Sequence, residues 1–309
     1  MRGRTSTGRP PRAKALGAAF CLLAALSCCA PPALTRQRVV EAPAPRQART
    51  LLGVRLSPEV SSWLEEVERR LGREVYAEFA ELDEEGAGGD FTFGVSYLTA
   101  AGVGVLRVDE SFRARGAAAT EAVVGHELLH LRLRARGYPL FLFSPDVMTM
   151  RGPAQDVEQP NVNDLVSLIE HRVFAAEMRR TGFDKVVDLT NGLEAARRRR
   201  GTEDSQAETL NFARAVLEWD DPRLVEELAR VHRANGWARS LADGRRLADI
   251  IGGSAVSAPA DVAPVFLRCM AVLYRAGFRL EADRRFPLSR IHPQMLVHAR
   301  RPSARRRGR

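Results

Sequence analysis

The chain has 309 residues, 45% of them hydrophobic, which is enough to bury one large core or two small ones. Its net charge of +9 sits mostly at the two ends. Arg2, Arg4, Arg9, Arg12 and Lys14 precede the first apolar run, and six arginines lie in the last ten residues, with no acid in either stretch. The body between them is close to neutral. A nucleic-acid partner needs a basic face on the fold, so that class is disfavoured. The internal run Arg197 to Arg200 reads as a solvated helix end.

In chain order, residues 1–30 come first. Basic residues lead into an apolar run from Ala15 to Ala30, stopped by Pro31-Pro32. This is the layout of a secretory signal peptide, and the run is short for a membrane span. Cys28 and Cys29 at its end admit a lipoprotein-type reading, with membrane attachment through a lipidated N-terminal cysteine. The expected location is exported: periplasmic, cell-envelope associated or secreted. Beyond this leader only Cys269 remains, so no internal disulfide is expected. Residues 31–55, rich in Pro, Ala and Arg, read as a flexible linker.

Order is expected to begin at Ser57-Pro58, a capping residue followed by a proline suited to the first helical position. Val60, Trp63, Leu64, Val67 and Leu71 then recur at helical spacing, and Gly72 ends the run. Glu74 to Leu82 is β-like, and 83–90 is an acidic, glycine-rich turn. Phe91 to Leu98 and Val103 to Val108 read as two strands of a hairpin. A long helix is expected from Ala117 to Arg136, stopped by Gly137 and Pro139. Tyr138 to Pro160 reads as an irregular loop long enough to serve as a lid or pocket wall. A second helix follows from Asp164 to Arg180, with Asn163 as its cap. Segments near 206–218, 222–235, 240–251 and 260–277 fit helical periods, and a disordered basic tail is expected over 299–309.

The long helix carries His126-Glu127-Leu128-Leu129-His130. Histidines four apart project from one helix face, and two imidazoles so placed can reach one tetrahedral zinc ion. Glu127 lies about 100° round the helix, where its carboxylate can take a proton from a water at the metal. This is the logic of the His-Glu-x-x-His motif.

Strand, strand, motif helix, loop and second helix together resemble the zincin metallopeptidases over about residues 73–181. In their gluzincin branch a glutamate on a downstream helix supplies the third zinc ligand. The extended third-histidine pattern of the metzincins is absent. The resemblance implies an α+β fold: a zincin-like core of a small sheet, an active-site helix and a second ligand helix. An additional, mainly helical C-terminal region would follow. The expected layout is a metal-binding domain over 56–182 and a helical region over 183–298. The resemblance also implies a zinc-dependent peptidase acting on a peptide or protein substrate, with Glu127 as catalytic base and the strand Val103 to Val108 near the cleft edge.

Glu170 and His171 lie forty residues after His130 and are the candidates for the third ligand. With about 100° per residue and Val166 at zero, Ile169, Val173 and Phe174 define an apolar stripe. Glu170 falls at about +40°, inside the stripe, and His171 at about +140°, on its edge. An unpartnered carboxylate there is costly, so Glu170 is the preferred ligand. His171 is the alternative, or else a group that hydrogen-bonds a ligand or a substrate oxyanion. Glu177 shares the stripe and could support a histidine N–H or bind the metal itself. Tyr97, Tyr138 and His292 are further candidates for polarising a substrate. The competing reading is a non-catalytic cell-envelope protein that uses a zincin-like scaffold for structure or binding. Another is an envelope adaptor built on the helical half, its arginine-rich tail touching acidic polymers or lipid head groups.

Overall fold

The computed structural model describes residues 49–82, 93–144, 147, 159–185, 191–199, 204–283 and 293–299. The leader, the linker up to residue 48, the acidic turn at 83–90, His292 and residues 300–309 lie outside these. The described residues all fall in one compact unit, Arg46–Arg309. Among them no helix is long and apolar enough to cross a membrane.

The chain has a mixed α+β fold with small sheets. It opens with a hairpin, β1 (Thr50–Leu51) and β2 (Val54–Arg55), inside the segment expected to be a flexible linker. Its turn residues Leu52 and Gly53 both take positive φ, the geometry of a two-residue hairpin turn. Helix α1 (Pro58–Leu71) forms as its sequence dictates. The Val60 N–H donates to Ser57 Oγ at 3.4 Å, Gly72 ends the helix in the left-handed region, and the five-residue apolar stripe is buried.

Three strands follow: β3 (Tyr76–Ala80), β4 (Gly94–Leu98) and β5 (Gly104–Asp109). The expected hairpin is present, with β4 antiparallel to β5. Strand β3 adds in parallel on the other side, so β5 is central. After the short α2 (Phe112–Arg115) comes the motif helix, α3 (Ala117–Ala135), which packs against α1, β4 and β5. Glu66 of α1 accepts hydrogen bonds from Arg132 and Arg136 near the end of α3. Burial opposes its charge, but those two guanidinium groups hold its carboxyl down at about 2.

Two expectations fail between Tyr138 and Pro160. Leu140–Phe143 is a strand, β6, and the next helix, α4 (Gln159–Thr181), starts five residues earlier than read. Asn163 is therefore inside the helix rather than its cap, and accepts from Gln159 Nε2 at 3.0 Å.

Helices α5 (Asn191–Arg198), α6 (Gln206–Glu218), α7 (Pro222–Ala234), α8 (Ala238–Gly252) and α9 (Pro259–Tyr274) then stack, close to the expected spans. The C-terminal region is not helical throughout. It ends in strands β7 (Phe278–Ala282) and β8 (Gln294–Ala299). Strand β8 lies between β7 and β6, antiparallel to the first and parallel to the second. Ala299, assigned to the disordered tail, is paired with Phe278. The main core runs across the boundary drawn at residue 182, joining Val60, Leu128 and Ile169 with Leu210, Phe266 and Val297. Cys269 is a free, buried thiol, pushed up to about 12 by that burial.

A second apolar cluster fills the space among α5 to α8. His232 is wholly buried in it, between the rings of Phe212 and Trp237, both at 5.2 Å. Neither ring nitrogen has a hydrogen-bond partner among the described residues, and Glu208 stands 3.8 Å away with its carboxylate engaged by Arg199. Burial lowers the His232 pKa to about 4, from an ordinary value near 6.5. The unfolded chain therefore binds the proton first as pH falls. This contribution to stability is fully present above about pH 6.5 and is lost as pH falls through about 4, on the order of 3 kcal/mol. Denaturant unfolding measured between pH 7 and 4 will show that loss, and a His232→Phe variant will flatten the profile.

Candidate metal centre

Helix α3 presents His126, Glu127 and His130, and α4 presents Glu170 and His171. The two helices cross so that three imidazole edges meet. The Nε2 atoms of His126 and His171 each lie 3.2 Å from His130 Nε2, and all three ligand nitrogens fall within 4.8 Å of one another. Donors held at about 2.0–2.1 Å on a tetrahedral ion stand about 3.3 Å apart, so the spacing suits corners of such a site.

The opposite nitrogens fix the tautomers. His130 Nδ1 is 2.6 Å from Glu170 Oε2, and His171 Nδ1 is 2.7 Å from Glu218 Oε1. A carboxylate accepts, so each Nδ1 carries the proton and donates it, leaving a lone pair on Nε2. Burial, reinforced by the neighbouring His171 ring, drives His126 and His130 well below the usual histidine range, so both are neutral. Glu218 is held below the usual carboxylate range: burial opposes this, and its contact with His171 overrides it. The three rings thus turn an Nε2 edge toward one point, where a cation would meet a nitrogen from each. Ser167 Oγ, 3.1 Å from His171 Nε2, is also within reach of the cluster. The Nδ1 of His126 is buried with no hydrogen-bond partner among the described residues. Phe174 closes the base, with its ring centroid 5.0 to 5.9 Å from all three imidazoles.

The arrangement changes the part given to Glu170. It is buried, as its place on the apolar stripe requires, but its partner is the far nitrogen of His130 and not the point where the rings converge. His171, at the edge of the stripe, takes that point. Glu177 does neither thing considered for it and pairs with Arg132 at 3.5 Å.

Glu127 sits on the sheet side of the cluster, its Oε1 4.0 Å from His126 Nε2. Burial raises its pKa to about 7, opposed by a hydrogen bond with Ser96 and the charge of Arg134. Strand β4 shapes its seat. A side chain on Gly94 would come within 2.9 Å of Glu127 Cγ, and Arg134 donates to the Ser96 carbonyl. Strand β4, not β5, is thus the strand beside the cleft: β5 is central and β4 is outermost among the described residues. The cleft has a volume of about 680 Å³ and is bounded by β4, the three histidines, α4 and the end of α6. Tyr97 lines it and is exposed, whereas Tyr138 is buried and does not line it.

Sequence reasoning missed Ser96 and Glu218. The alternation of β4 puts Gly94 and Ser96 on its inner face, which was a usable signal for the first. Glu218 stands 47 residues from His171 at the end of another helix, and no local pattern links the two. Comparison with protein-family models, with curated proteins and with solved structures gave no significant match.

The three-histidine arrangement makes a specific expectation. His171→Ala will drop bound metal well below one per chain. Glu170→Gln and Glu218→Gln will keep the stoichiometry and weaken affinity roughly 10- to 100-fold. Competition with a chromophoric chelator measures both quantities. Metal loss in Glu170→Gln with retention in His171→Ala would return Glu170 to the ligand set.

Proposed function

We propose that the protein is an exported zinc-dependent hydrolase that cleaves peptide bonds. The observation that carries this reading is the convergence of three Nε2 atoms, two of them with Nδ1 fixed on buried carboxylates, beside a buried glutamate. His126, His130 and His171 would hold the ion. Three imidazoles with a position left for solvent are the donor set of a catalytic zinc site. When bound, zinc supplies Lewis acidity and a water acidified toward neutrality.

The chain's own residues do the rest. Glu127 accepts the proton from the attacking water and returns it to the leaving nitrogen, a role that suits a carboxyl whose pKa lies near 7. Ser96 and Arg134 orient Glu127 from the strand side. The outer edge of β4 offers backbone groups with which an extended peptide can pair, as an added strand would. The leader-like residues 1–30 support action outside the cytoplasm.

Protein purified from residue 31 onward should contain about one zinc per chain by elemental analysis. Glu127→Gln should keep the metal and lose hydrolysis of a fluorogenic peptide library by a factor on the order of 10² or more. Chelation should abolish activity in the native protein and zinc should restore it. A well-folded preparation without metal would refute the reading. Equal activity in wild type and Glu127→Gln would leave a metal-binding scaffold without this chemistry.

A further inference from the structure

Helix α6 lies outside residues 73–181, the stretch that resembles the zincins, yet it forms a wall of the cleft. Arg214, Glu218 and Trp219 all line the space beside the histidines. Arg214 and Glu218 are four apart and share a helix face. Glu218 grips His171, which brings Arg214 close to the cluster. The Arg214 side chain is about a quarter exposed, and one of its nitrogens lies 3.8 Å from Asp164 of α4. Its charge reaches His126, His130 and Glu218, each of which it pushes toward lower pKa as a lesser cause. Trp219 adds an indole N–H that is buried with no hydrogen-bond partner among the described residues.

The cleft therefore has two unlike walls. Strand β4 holds Glu127, the proton acceptor, against α3. Helix α6 brings a cation, Arg214, against α4. Attack on a carbonyl makes charge of opposite kind at two places: a proton must leave the water, and negative charge must settle on the carbonyl oxygen. A residue that serves the second need must be cationic or an N–H donor and must sit away from the carboxylate that serves the first.

We infer that Arg214 is an anion-binding subsite that takes the charge developing on the substrate's carbonyl oxygen. The inference rests on the hydrolytic reading of the cluster given above. As the water oxygen bonds to the carbonyl carbon, the π pair moves onto the carbonyl oxygen next to Arg214, and the water's proton passes to Glu127. The C=O bond then re-forms, the C–N bond breaks, and Glu127 gives its proton to the departing amine.

The test uses Co²⁺-loaded full-length protein, whose visible spectrum reports anions entering the metal's surroundings, with inorganic phosphate as the probe. Wild type should bind phosphate with a spectral change. Arg214→Met should bind Co²⁺ at the same stoichiometry but phosphate more weakly by a factor on the order of ten or more, and Arg214→Lys should recover part of it. On any peptide that wild type cleaves, Arg214→Met should lower kcat more than it raises KM. Unchanged phosphate affinity in metal-loaded Arg214→Met would overturn the inference. So would loss of Co²⁺ from both Arg214 variants, which would mark Arg214 as a structural tie between α4 and α6. Failure of wild type to take up Co²⁺ would be a separate result, removing the metal centre and this subsite with it.

Discussion

Helix α3 is buried almost all round. Val123, Val124, Leu128, Leu129 and Leu131 are sealed from water, and the side chains of Glu127 and His130 are mostly buried, open only to the cleft. A helix with this little solvent face must be enclosed by other elements, and the rest of the fold is arranged to do that. Helix α1 covers one flank, the β3-β5-β4 sheet another, and α4 a third. The close approaches at Gly94 and Gly125 show how tight the enclosure is: an added methyl at Gly125 would meet the Phe183 ring at 2.3 Å.

Enclosing polar groups raises the question of how they are satisfied. Unpaired buried carboxylates and imidazoles are costly. Here the two kinds of group meet each other in Glu170 with His130 and Glu218 with His171, while Glu127 is met by the Ser96 hydroxyl. The Nε2 atoms of the three rings face one another, and that face is where a divalent ion would meet a nitrogen from each. The same pairing makes two of the rings stiff. His130 and His171, each held at Nδ1 by a carboxylate, have little freedom to rotate, whereas His126 Nδ1 has no partner among the described residues.

Much of this could be read from the residues in order. The cap and stop of α1, the β4–β5 hairpin and the motif helix follow from short-range signals such as Ser57-Pro58, alternation in the strands and Gly137. What failed depends on distant partners. Strand β6 is the four-residue apolar run Leu-Phe-Leu-Phe in a segment rich in prolines and glycines, and it becomes a strand only because Gln294 to Val297 lies alongside it. The placing of Glu170 against His130, not at the point where the rings converge, has a related reason. Helical periodicity locates Glu170 as buried, correctly, but burial does not say which nitrogen a carboxylate faces. That depends on the crossing of α3 and α4, which no local pattern records. The groups on α6 are further still from local signals, since they reach the cleft only through the packing of a helix some forty residues downstream of the motif's second helix.

The parallel pairing of β6 with β8 has a consequence for the order in which the molecule can be assembled. Ser144 donates to the carbonyl of Val297 across 153 residues, and β8 also gives β7 its partner. A chain emerging from the ribosome in sequence order can form α1, the first sheet and α3 early, because those contacts are close along the chain. It cannot complete the wall beside α4 until residue 299 is free. The histidine cluster has its own delay, because Glu218 must arrive before His171 is held. Long-range closures of this kind are slow steps. Synthesis and completion of the histidine cluster are thus separated in time, with the helices that carry the histidines made before the segments that hold them.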